Sequence, residues 1–178
     1  TTSDNNTAEM LVKEIGVVAS GQGTRAAGMA VIESTLRGWD VPMQNVNLVD
    51  GSGLSPENAV TCAMMLAVIQ RSADTALVDG LAVAARTGTL SDEFLGSPLA
   101  GRLSAKTGTL GNPPFDEPPL ASKALVGYVG AENGDTIEFA LIVNAPILTT
   151  DSYRRLWSLY GDALATYPTG PSVAELQP

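Results

Sequence analysis

The sequence predicts an α+β fold, in which helices cover an antiparallel sheet. Helical periodicity dominates residues 1–101, alternating apolar and polar residues then predict three strands, and a strongly amphipathic helix follows them. The chain has 178 residues, of which 44% are hydrophobic, and this is enough for one ordinary core. Helices followed by strands and a closing helix indicate a sheet with helices packed on it.

The first expected helix covers residues 6–18. Its apolar positions recur at helical spacing and define one face, made of Ala8, Leu11, Ile15 and Val18. The triplet Ser3-Asp4-Asn5 precedes this helix, and all three residue types favour the helix N-cap. Capping is therefore one interpretation of the triplet, and a role in function is the other.

Two further helices are expected before residue 73. Thr24 can cap the second helix, whose apolar stripe consists of Met29, Ile32 and Leu36. Trp39, which follows it, is expected on the core, and residues 46–49 read as a short strand. The third helix, from Pro56 to Ser72, is apolar nearly all round, which predicts burial on several sides. Its Cys62 is expected to be a buried structural thiol.

The first expected strand, Leu103-Ser-Ala-Lys-Thr-Gly-Thr-Leu110, contains the polar run Lys106-Thr107-Gly108-Thr109. A lysine, two hydroxyls and a glycine suit the binding of an extended substrate with a carboxylate, because glycine lets another backbone lie close. Lys-Thr-Gly also occurs as an ordinary strand end, so this run alone is a weak signal.

Two more strands are expected at residues 124–129 and 136–143, joined by a hairpin turn at 132–135. The second is apolar on both faces, so we expect it to be central and to need a further strand from outside this chain. A rigid acidic loop at 111–119 precedes the hairpin. An amphipathic helix follows it, with Tyr153, Leu156, Trp157, Tyr160 and Leu164 on its apolar face.

Composition excludes several classes of function. The formal net charge is −9 with only 10 Lys and Arg, and no basic cluster is present, so nucleic acid is not an expected partner. No apolar run would span a bilayer, and no secretory signal is seen. Histidine is absent and there is a single cysteine, which excludes His-based triads, the usual zinc sites and internal disulfides. No metal or cofactor is expected.

Ser3-Asp4-Asn5 and Lys106-Thr107-Gly108 are similar to two of the three signature elements of penicillin-binding proteins and serine β-lactamases. The third element, Ser-x-x-Lys, carries the nucleophile and does not occur in this sequence. The whole chain resembles the C-terminal part of the penicillin-binding protein 4 type of D-alanyl-D-alanine carboxypeptidase, the S13 serine peptidases. Leu48–Ser55, Gly101–Leu110 and Ala124–Val129 also resemble segments of this family.

The resemblance implies a DD-peptidase/β-lactamase-like fold that is incomplete without an N-terminal portion. In the family, that portion supplies two further strands of a five-stranded antiparallel sheet and the Ser-x-x-Lys helix. Residues 1–178 would form the C-terminal part of one transpeptidase-like domain. It would divide into a mainly helical part at 1–101, three strands and a closing helix at 102–165, and a loose tail at 166–178.

The resemblance also implies roles for Ser3, Lys106 and Thr109 in catalysis. Ser3 would relay a proton to the leaving amine, and Lys106 would raise the positive potential beside it. The Thr109 backbone N–H would contribute to the oxyanion hole together with the absent serine. Asp4, the middle residue of its triplet, is expected to have a structural role.

Substrate binding would involve Asn5, Thr107, Gly108 and Thr109. The Asn5 amide would hold the substrate's peptide group, and both threonine hydroxyls would bind its terminal carboxylate. Gly108 would let the substrate lie along the strand in β-fashion. Relatives often carry a basic residue, which can help bind a carboxylate on the stem, where this chain has Pro56. The resemblance therefore does not indicate which stem peptide is preferred.

The activity implied is that of a penicillin-sensitive serine DD-peptidase acting on peptidoglycan stem peptides. Its partners would be an N-terminal portion with Ser-x-x-Lys, the stem peptide, and β-lactams as acylating inhibitors, all outside the cytoplasm. Alternatives are a serine β-lactamase and a non-catalytic penicillin- or peptidoglycan-binding module. A further alternative, Thr1 as an N-terminal nucleophile, is disfavoured because no strand separates it from Ser3.

Overall fold

The computed structural model describes residues 2–73, 75–111, 121–131 and 133–168. The chain divides into two compact units. The first, called here the helical unit, is Ser3–Arg71. The second, the sheet unit, comprises Ser72–Pro178 with Thr1–Thr2. Among the described residues, no helix is both long and apolar enough to cross a membrane.

The helical unit contains α1 (Asn5–Ser20), α2 (Arg25–Gly38) and α3 (Cys62–Arg71). As predicted, Thr24 caps α2, because its Oγ1 accepts a hydrogen bond from the backbone N–H of Ala27 at 3.1 Å. The predicted stripe of α2 is confirmed, since Met29 and Leu36 are buried and Ile32 is half-buried.

The predicted apolar face of α1 is wrong. Its buried residues are Val12 and Gly16, whereas three of the four predicted positions, Leu11, Ile15 and Val18, are exposed. The reason is close backbone packing: a Cβ at Gly28 of α2 would lie only 1.8 Å from the carbonyl oxygen of Val12. The face of α1 that packs within this unit is thus set by where glycine permits contact.

Other expectations for this unit also need correction. Trp39 is 42% exposed rather than on the core, and the Arg71 guanidinium lies 4.9 Å from its ring centroid. Residues 46–49 form no strand, but only an isolated antiparallel bridge between Asn47 and Ala59. This bridge occupies the start of the expected third helix, so α3 begins at Cys62. Cys62 is exposed, and the expectation of a buried thiol is wrong.

The sheet unit contains α4 (Leu77–Gly80), β1 (Ala82–Val83), a short 3₁₀ helix, β2 (Leu103–Leu110), β3 (Ala121–Gly130), β4 (Thr136–Ala145) and α5 (Thr150–Ala165). The strands form an antiparallel sheet in the order β1-β2-β3-β4. The three predicted strands and the closing helix are therefore confirmed. The two-residue strand β1 was not predicted.

The core of the sheet unit lies between one face of the sheet and α5. Buried side chains of β2, β3 and β4 pack there with Trp157 and partly buried Tyr160 of α5, and they include Leu103, Ala105, Leu125, Val129 and Phe139. Phe94 stacks nearly parallel to Trp157, with ring centroids 6.4 Å apart. The predicted apolar face of α5 is confirmed except for Leu156, which is exposed.

β4 is not central among the described residues, because it pairs only with β3. The expectation rested on the apolar character of both faces of this strand. That character is present, but a second neighbouring strand is not among the described residues. The loop expected at 111–119 lies outside the described residues except for Gly111, and the tail lies outside them from residue 169.

Candidate active site

The edge of β2 from Lys106 to Leu110 is open. β1 pairs only with Ala105 and Ser104, and beyond them no strand within the described ranges lies against this side of β2. On its other side β2 is paired with β3 along its whole length. The predicted Lys-Thr-Gly-Thr run therefore occupies an unpaired strand edge, as binding of an extended peptide requires.

The backbone groups that point out of this edge belong to Thr107 and Thr109. The carbonyl oxygen of Leu103 accepts a hydrogen bond from the N–H of Ala84 at 2.9 Å, so Leu103 presents its backbone to the β1 side. Because these groups alternate along an antiparallel strand, Ala105, Thr107 and Thr109 present theirs to the same side. Ala105 is covered by β1, which leaves two residues with outward N–H and C=O groups.

Side chains of the run divide between the two faces of the sheet. Thr107 and Thr109 share the face of Leu103 and Ala105, which packs on the core, while Lys106 and Gly108 lie on the opposite face. A Cβ added to Gly108 would contact the Cβ of Ala124 at 3.3 Å, which is a tight but adjustable contact.

Lys106 is an exposed residue whose ammonium group donates a hydrogen bond to the carbonyl oxygen of Thr107. This contact places its positive charge at the open edge. Partial desolvation lowers the pKa of Lys106 below the ordinary lysine value. A partly desolvated cation next to outward N–H groups is suited to attract a carboxylate.

The two threonine hydroxyls have different partners. Thr107 Oγ1 lies 2.8 Å from Thr89 Oγ1, which belongs to the 3₁₀ helix Gly88–Leu90. Thr109 Oγ1 accepts a hydrogen bond from Lys123 Nζ at 3.1 Å. Each hydroxyl is therefore held by a second polar side chain within the sheet unit.

Neither Thr89 nor Lys123 was identified from the sequence. The sequence does contain a signal for Thr89, because Thr87-Gly88-Thr89-Leu90 has the same four residues as Thr107–Leu110. Lys123 precedes the first predicted residue of its strand, and only the register shows that it lies opposite Thr109.

The triplet Ser3-Asp4-Asn5 lies at the start of α1, in the helical unit. Asp4 is the N-cap, and its Oδ1 accepts a hydrogen bond from the N–H of Thr7 at 2.6 Å. That hydrogen bond lowers the pKa of Asp4 below its ordinary value, in keeping with the structural role expected of it. Ser3 and Asn5 are both exposed, and Asn5 is the first residue of α1 rather than a residue before it.

The glycine-rich segment after residue 49 is bound to α1 through Glu9. Glu9 Oε1 accepts hydrogen bonds from the N–H groups of Gly51 and Ser52 at 3.1 and 3.0 Å, and its other oxygen pairs with Arg25 at 2.8 Å. Hydrogen bonding to Ser52 lowers the pKa of Glu9 below its ordinary value. The helix start and the glycine-rich segment, both noted from the sequence, thus belong to one fixed arrangement within the helical unit.

The predicted site residues therefore fall into two groups. The structure brings Lys106, Thr107, Gly108 and Thr109 together on one strand edge in the sheet unit. Ser3 and Asn5 belong to the helical unit. Within the described ranges, no three His, Cys, Asp or Glu side chains cluster as a metal site would require.

Comparison with known proteins defines the class. The chain matches the model of the D-Ala-D-Ala carboxypeptidase 3 (S13) family over residues 1–156, and it therefore belongs to this family. The resemblance noted from its motifs is confirmed.

Two bacterial proteins are similar to this chain in sequence. It is 32% identical over 164 residues to a D-alanyl-D-alanine carboxypeptidase from an Actinomadura species, covering 84% of this chain and 29% of that protein. It is also 32% identical over 152 residues to carboxypeptidase DacB of Mycolicibacterium smegmatis, covering 80% and 31%. The chain thus spans less than a third of the length of these relatives.

Solved structures share the fold. Penicillin-binding protein 4 of Haemophilus influenzae, solved in complex with a β-lactam, superposes with a TM-score of 0.70 at 23% identity, covering 98% of this chain and 36% of that one. A predatory endopeptidase of Bdellovibrio bacteriovorus, solved with an immunity protein, gives a TM-score of 0.65 at 21% identity, covering 98% and 42%. The α+β, DD-peptidase-like fold class predicted from the sequence is therefore confirmed.

Proposed function

We propose that this chain is the assisting part of a penicillin-sensitive serine DD-peptidase, which cleaves the terminal D-Ala-D-Ala bond of peptidoglycan stem peptides. The nucleophile would come from a Ser-x-x-Lys element in a separate N-terminal portion, because the present sequence has none. Membership of the family and the names of its relatives support this activity.

The observation that carries the proposal is the open edge of β2. It combines two outward N–H groups, at Thr107 and Thr109, with a lysine ammonium and two hydroxyls within four residues. An extended peptide that added itself to this edge would form main-chain hydrogen bonds and bring its carboxylate to the positive charge. An ordinary strand edge exposes backbone groups but does not need this set of side chains.

In the proposed acylation, the serine Oγ of the Ser-x-x-Lys element attacks the carbonyl carbon of the penultimate D-alanine. The Thr109 N–H stabilises the oxyanion that develops, and a donor of this kind contributes about 100- to 1000-fold to the rate. When the C–N bond breaks, the Ser3 hydroxyl donates its proton to the leaving amine and receives one from the nucleophile's side. The leaving D-alanine carries the carboxylate, which Lys106, Thr107 and Thr109 bind.

Asn5 and Gly108 are proposed to position the rest of the substrate. The Asn5 side-chain amide has both a donor and an acceptor, so it can hold the peptide group of the stem. Gly108 leaves space beside the edge for the substrate backbone. A water molecule then hydrolyses the acyl-serine ester, which restores the serine hydroxyl and releases the shortened peptide.

The place of action follows from the substrate. Peptidoglycan lies outside the cytoplasmic membrane, so the proposed site of action is extracytoplasmic. The proposed partners are the N-terminal portion, the stem peptide, and β-lactams, which would acylate the same serine. Pro56, which stands where relatives often carry a basic residue, would weaken recognition of a carboxylate on the stem.

Labelling with a fluorescent penicillin tests the proposal. The complete protein that contains this chain is incubated with the probe, cleaved into peptides, and mapped by mass spectrometry. We expect the label on the serine of Ser-x-x-Lys, with slow release of the drug and hydrolysis of a D-Ala-D-Ala peptide.

Other outcomes would contradict the proposal in distinct ways. Rapid turnover of penicillin without peptide hydrolysis would indicate a serine β-lactamase. Saturable but reversible binding without acylation would indicate a binding module. Label on Thr1 or Ser3 would show that the nucleophile lies in this chain.

A further inference from the structure

The side chain of Lys123 is buried beneath the candidate site. It lies on β3 opposite Thr109 of β2, and its relative exposure is only 3%. Its Nζ donates a hydrogen bond to Thr109 Oγ1 at 3.1 Å. Thr109 itself is an exposed residue, so this part-buried hydrogen bond links Lys123 on the core-facing side of the sheet to a residue that solvent reaches.

The groups that face Lys123 from other elements offset part of the cost of burying its charge. Its Nζ lies 4.4 Å from the ring centroid of Tyr153 on α5, which is a cation–π distance. The carboxylate of Glu93, which pairs with Arg154 at 2.9 Å, raises the pKa of Lys123, while burial lowers it more strongly. The pKa of Lys123 therefore lies below the ordinary lysine value, while its Nζ is held by the Thr109 hydroxyl and the Tyr153 ring.

The contact determines how the Thr109 hydroxyl can be used. A hydroxyl has one proton to donate and two lone pairs to accept with, whereas a lysine ammonium can only donate. When Lys123 donates to Thr109 Oγ1, the hydroxyl acts as acceptor in that contact and its own proton remains available. That proton can then be donated to an anion at the open edge of β2.

We propose that Lys123 is a positioning residue for the substrate's terminal carboxylate, acting by orienting and polarising the Thr109 hydroxyl. The inference rests on the proposed function and adds to it a second lysine on the core-facing side of the sheet. Lys106 approaches the edge from one face of the sheet, and Lys123 acts through Thr109 from the other.

A purely structural role accounts less well for this lysine. Its position lies at the α5-facing surface of the sheet, where methionine would fill a similar volume without a buried charge. Burying a lysine ammonium beneath an apolar helix face is costly unless it is paired. Glu93, whose charge raises the pKa of Lys123, already accepts hydrogen bonds from Arg154 Nε on both carboxylate oxygens, at 2.9 and 3.0 Å.

The test compares two substrates in the complete enzyme. One is a peptide ending in D-Ala-D-Ala with a free carboxylate, and the other is the same peptide with a C-terminal amide. The quantity measured is the ratio of their kcat/KM values in wild type, Lys123→Met, Lys123→Arg, Thr109→Val and the double variant. Because both substrates are assayed on one preparation, a loss of folded protein cancels in the ratio.

We expect Lys123→Met to lower this ratio by about 10-fold, as for loss of a hydrogen bond that involves a charged group. Lys123→Arg should restore most of it, since arginine keeps the donor and the charge. In the Thr109→Val background, Lys123→Met should have little further effect, because the two residues act as one unit. Arg102→Met is the matched control and should leave the ratio unchanged. It removes a cation that precedes β2 and donates to the carbonyl oxygen of Gly130, at the opposite end of β3 from Lys123.

A second measurement needs no variant. The NMR titration of the Lys123 side chain gives its pKa before and after acylation by a penicillin, whose carboxylate would occupy the same place. We expect the pKa of Lys123 to rise on acylation, while Glu93, Arg154 and Tyr153 remain as its neighbours in both states.

An unchanged substrate ratio in Lys123→Met, or a Lys123 pKa that does not respond to acylation, would overturn this inference while leaving the proposed function intact. A wild-type enzyme that neither cleaves the free-carboxylate peptide nor reacts with penicillin would overturn the proposed function, and the inference with it.

Discussion

Among the residues that the structure describes, the sheet has two open edges, and they differ in chemistry. The edge of β2 is open over Lys106–Leu110 and has a lysine and two threonine hydroxyls. The edge of β4 is open over Thr136–Ala145 within the described residues, and this strand is mainly apolar on both faces. The first resembles a surface made for reversible contact with a polar ligand, and the second resembles a surface that other protein should cover.

The difference shows that an unpaired edge has no single meaning. Lysine on an exposed edge discourages pairing with other sheets, yet it also attracts a ligand with a carboxylate. A long apolar edge has no such selectivity and would be an aggregation hazard if it stayed bare. We infer that β2 pairs with substrate and that β4 pairs permanently with a strand of the N-terminal portion.

The largest expected effect concerns the stability of the β4 side. Phe139 is 3% exposed and packs at 5.9 Å from the ring centroid of Tyr160. Phe139→Ala should lower the free energy of unfolding by about 3–5 kcal/mol, because it leaves a cavity in the core. Denaturant unfolding measures this, with Phe139→Leu as the milder control. A loss of less than about 1 kcal/mol would mean that the core does not depend on this strand.

Lys106→Met should have the opposite profile, with little effect on stability and a large effect on activity. We expect kcat/KM for a D-Ala-D-Ala peptide to fall about 100-fold, because an electrostatic contact to the substrate is lost. Steady-state kinetics and thermal unfolding on the same preparation separate the two quantities. A fall in Tm that accounts for the lost activity would contradict a role at the open edge.

The pH dependence of activity should reflect the lowered pKa of Lys106. Its ammonium form attracts the carboxylate, so kcat/KM should fall as pH rises through this pKa, which desolvation moves below that of an ordinary lysine. In Lys106→Arg the charge persists, so this alkaline decline should move to higher pH. If both proteins decline at the same pH, another group, such as Lys123 or Tyr153, controls it.

The smallest expected effect lies at the start of α1. Asp4→Ala removes the N-cap acceptor of the Thr7 N–H, so the Tm should fall slightly, whereas Asp4→Asn should preserve most of the cap. Since its pKa is lowered in the folded state, the Asp4 contribution is present above the unfolded pKa and lost as pH falls through the folded one. Equal Tm values for the alanine and asparagine variants would contradict the capping role.

Sequence reasoning predicted elements whose patterns are strong and local. The alternation around Lys106, the turn near residue 134 and the spacing of Tyr153 and Trp157 each identified a confirmed element. The predicted face of α1 was wrong because close contact at Gly28, rather than hydrophobicity, determines which residues are buried. The contact between Lys123 and Thr109 could not be predicted, because it depends on strand register across a loop.

Amide hydrogen exchange of the complete protein, followed residue by residue with and without penicillin, tests the central claim most directly. The account predicts that the Thr107 and Thr109 amides exchange quickly when the protein is free and are protected after acylation. The outward amides of β4, such as Ala140 and Ile142, should be protected in both states. If Thr107 and Thr109 are already protected in the free protein, or stay unprotected after acylation, β2 is not the substrate-binding strand.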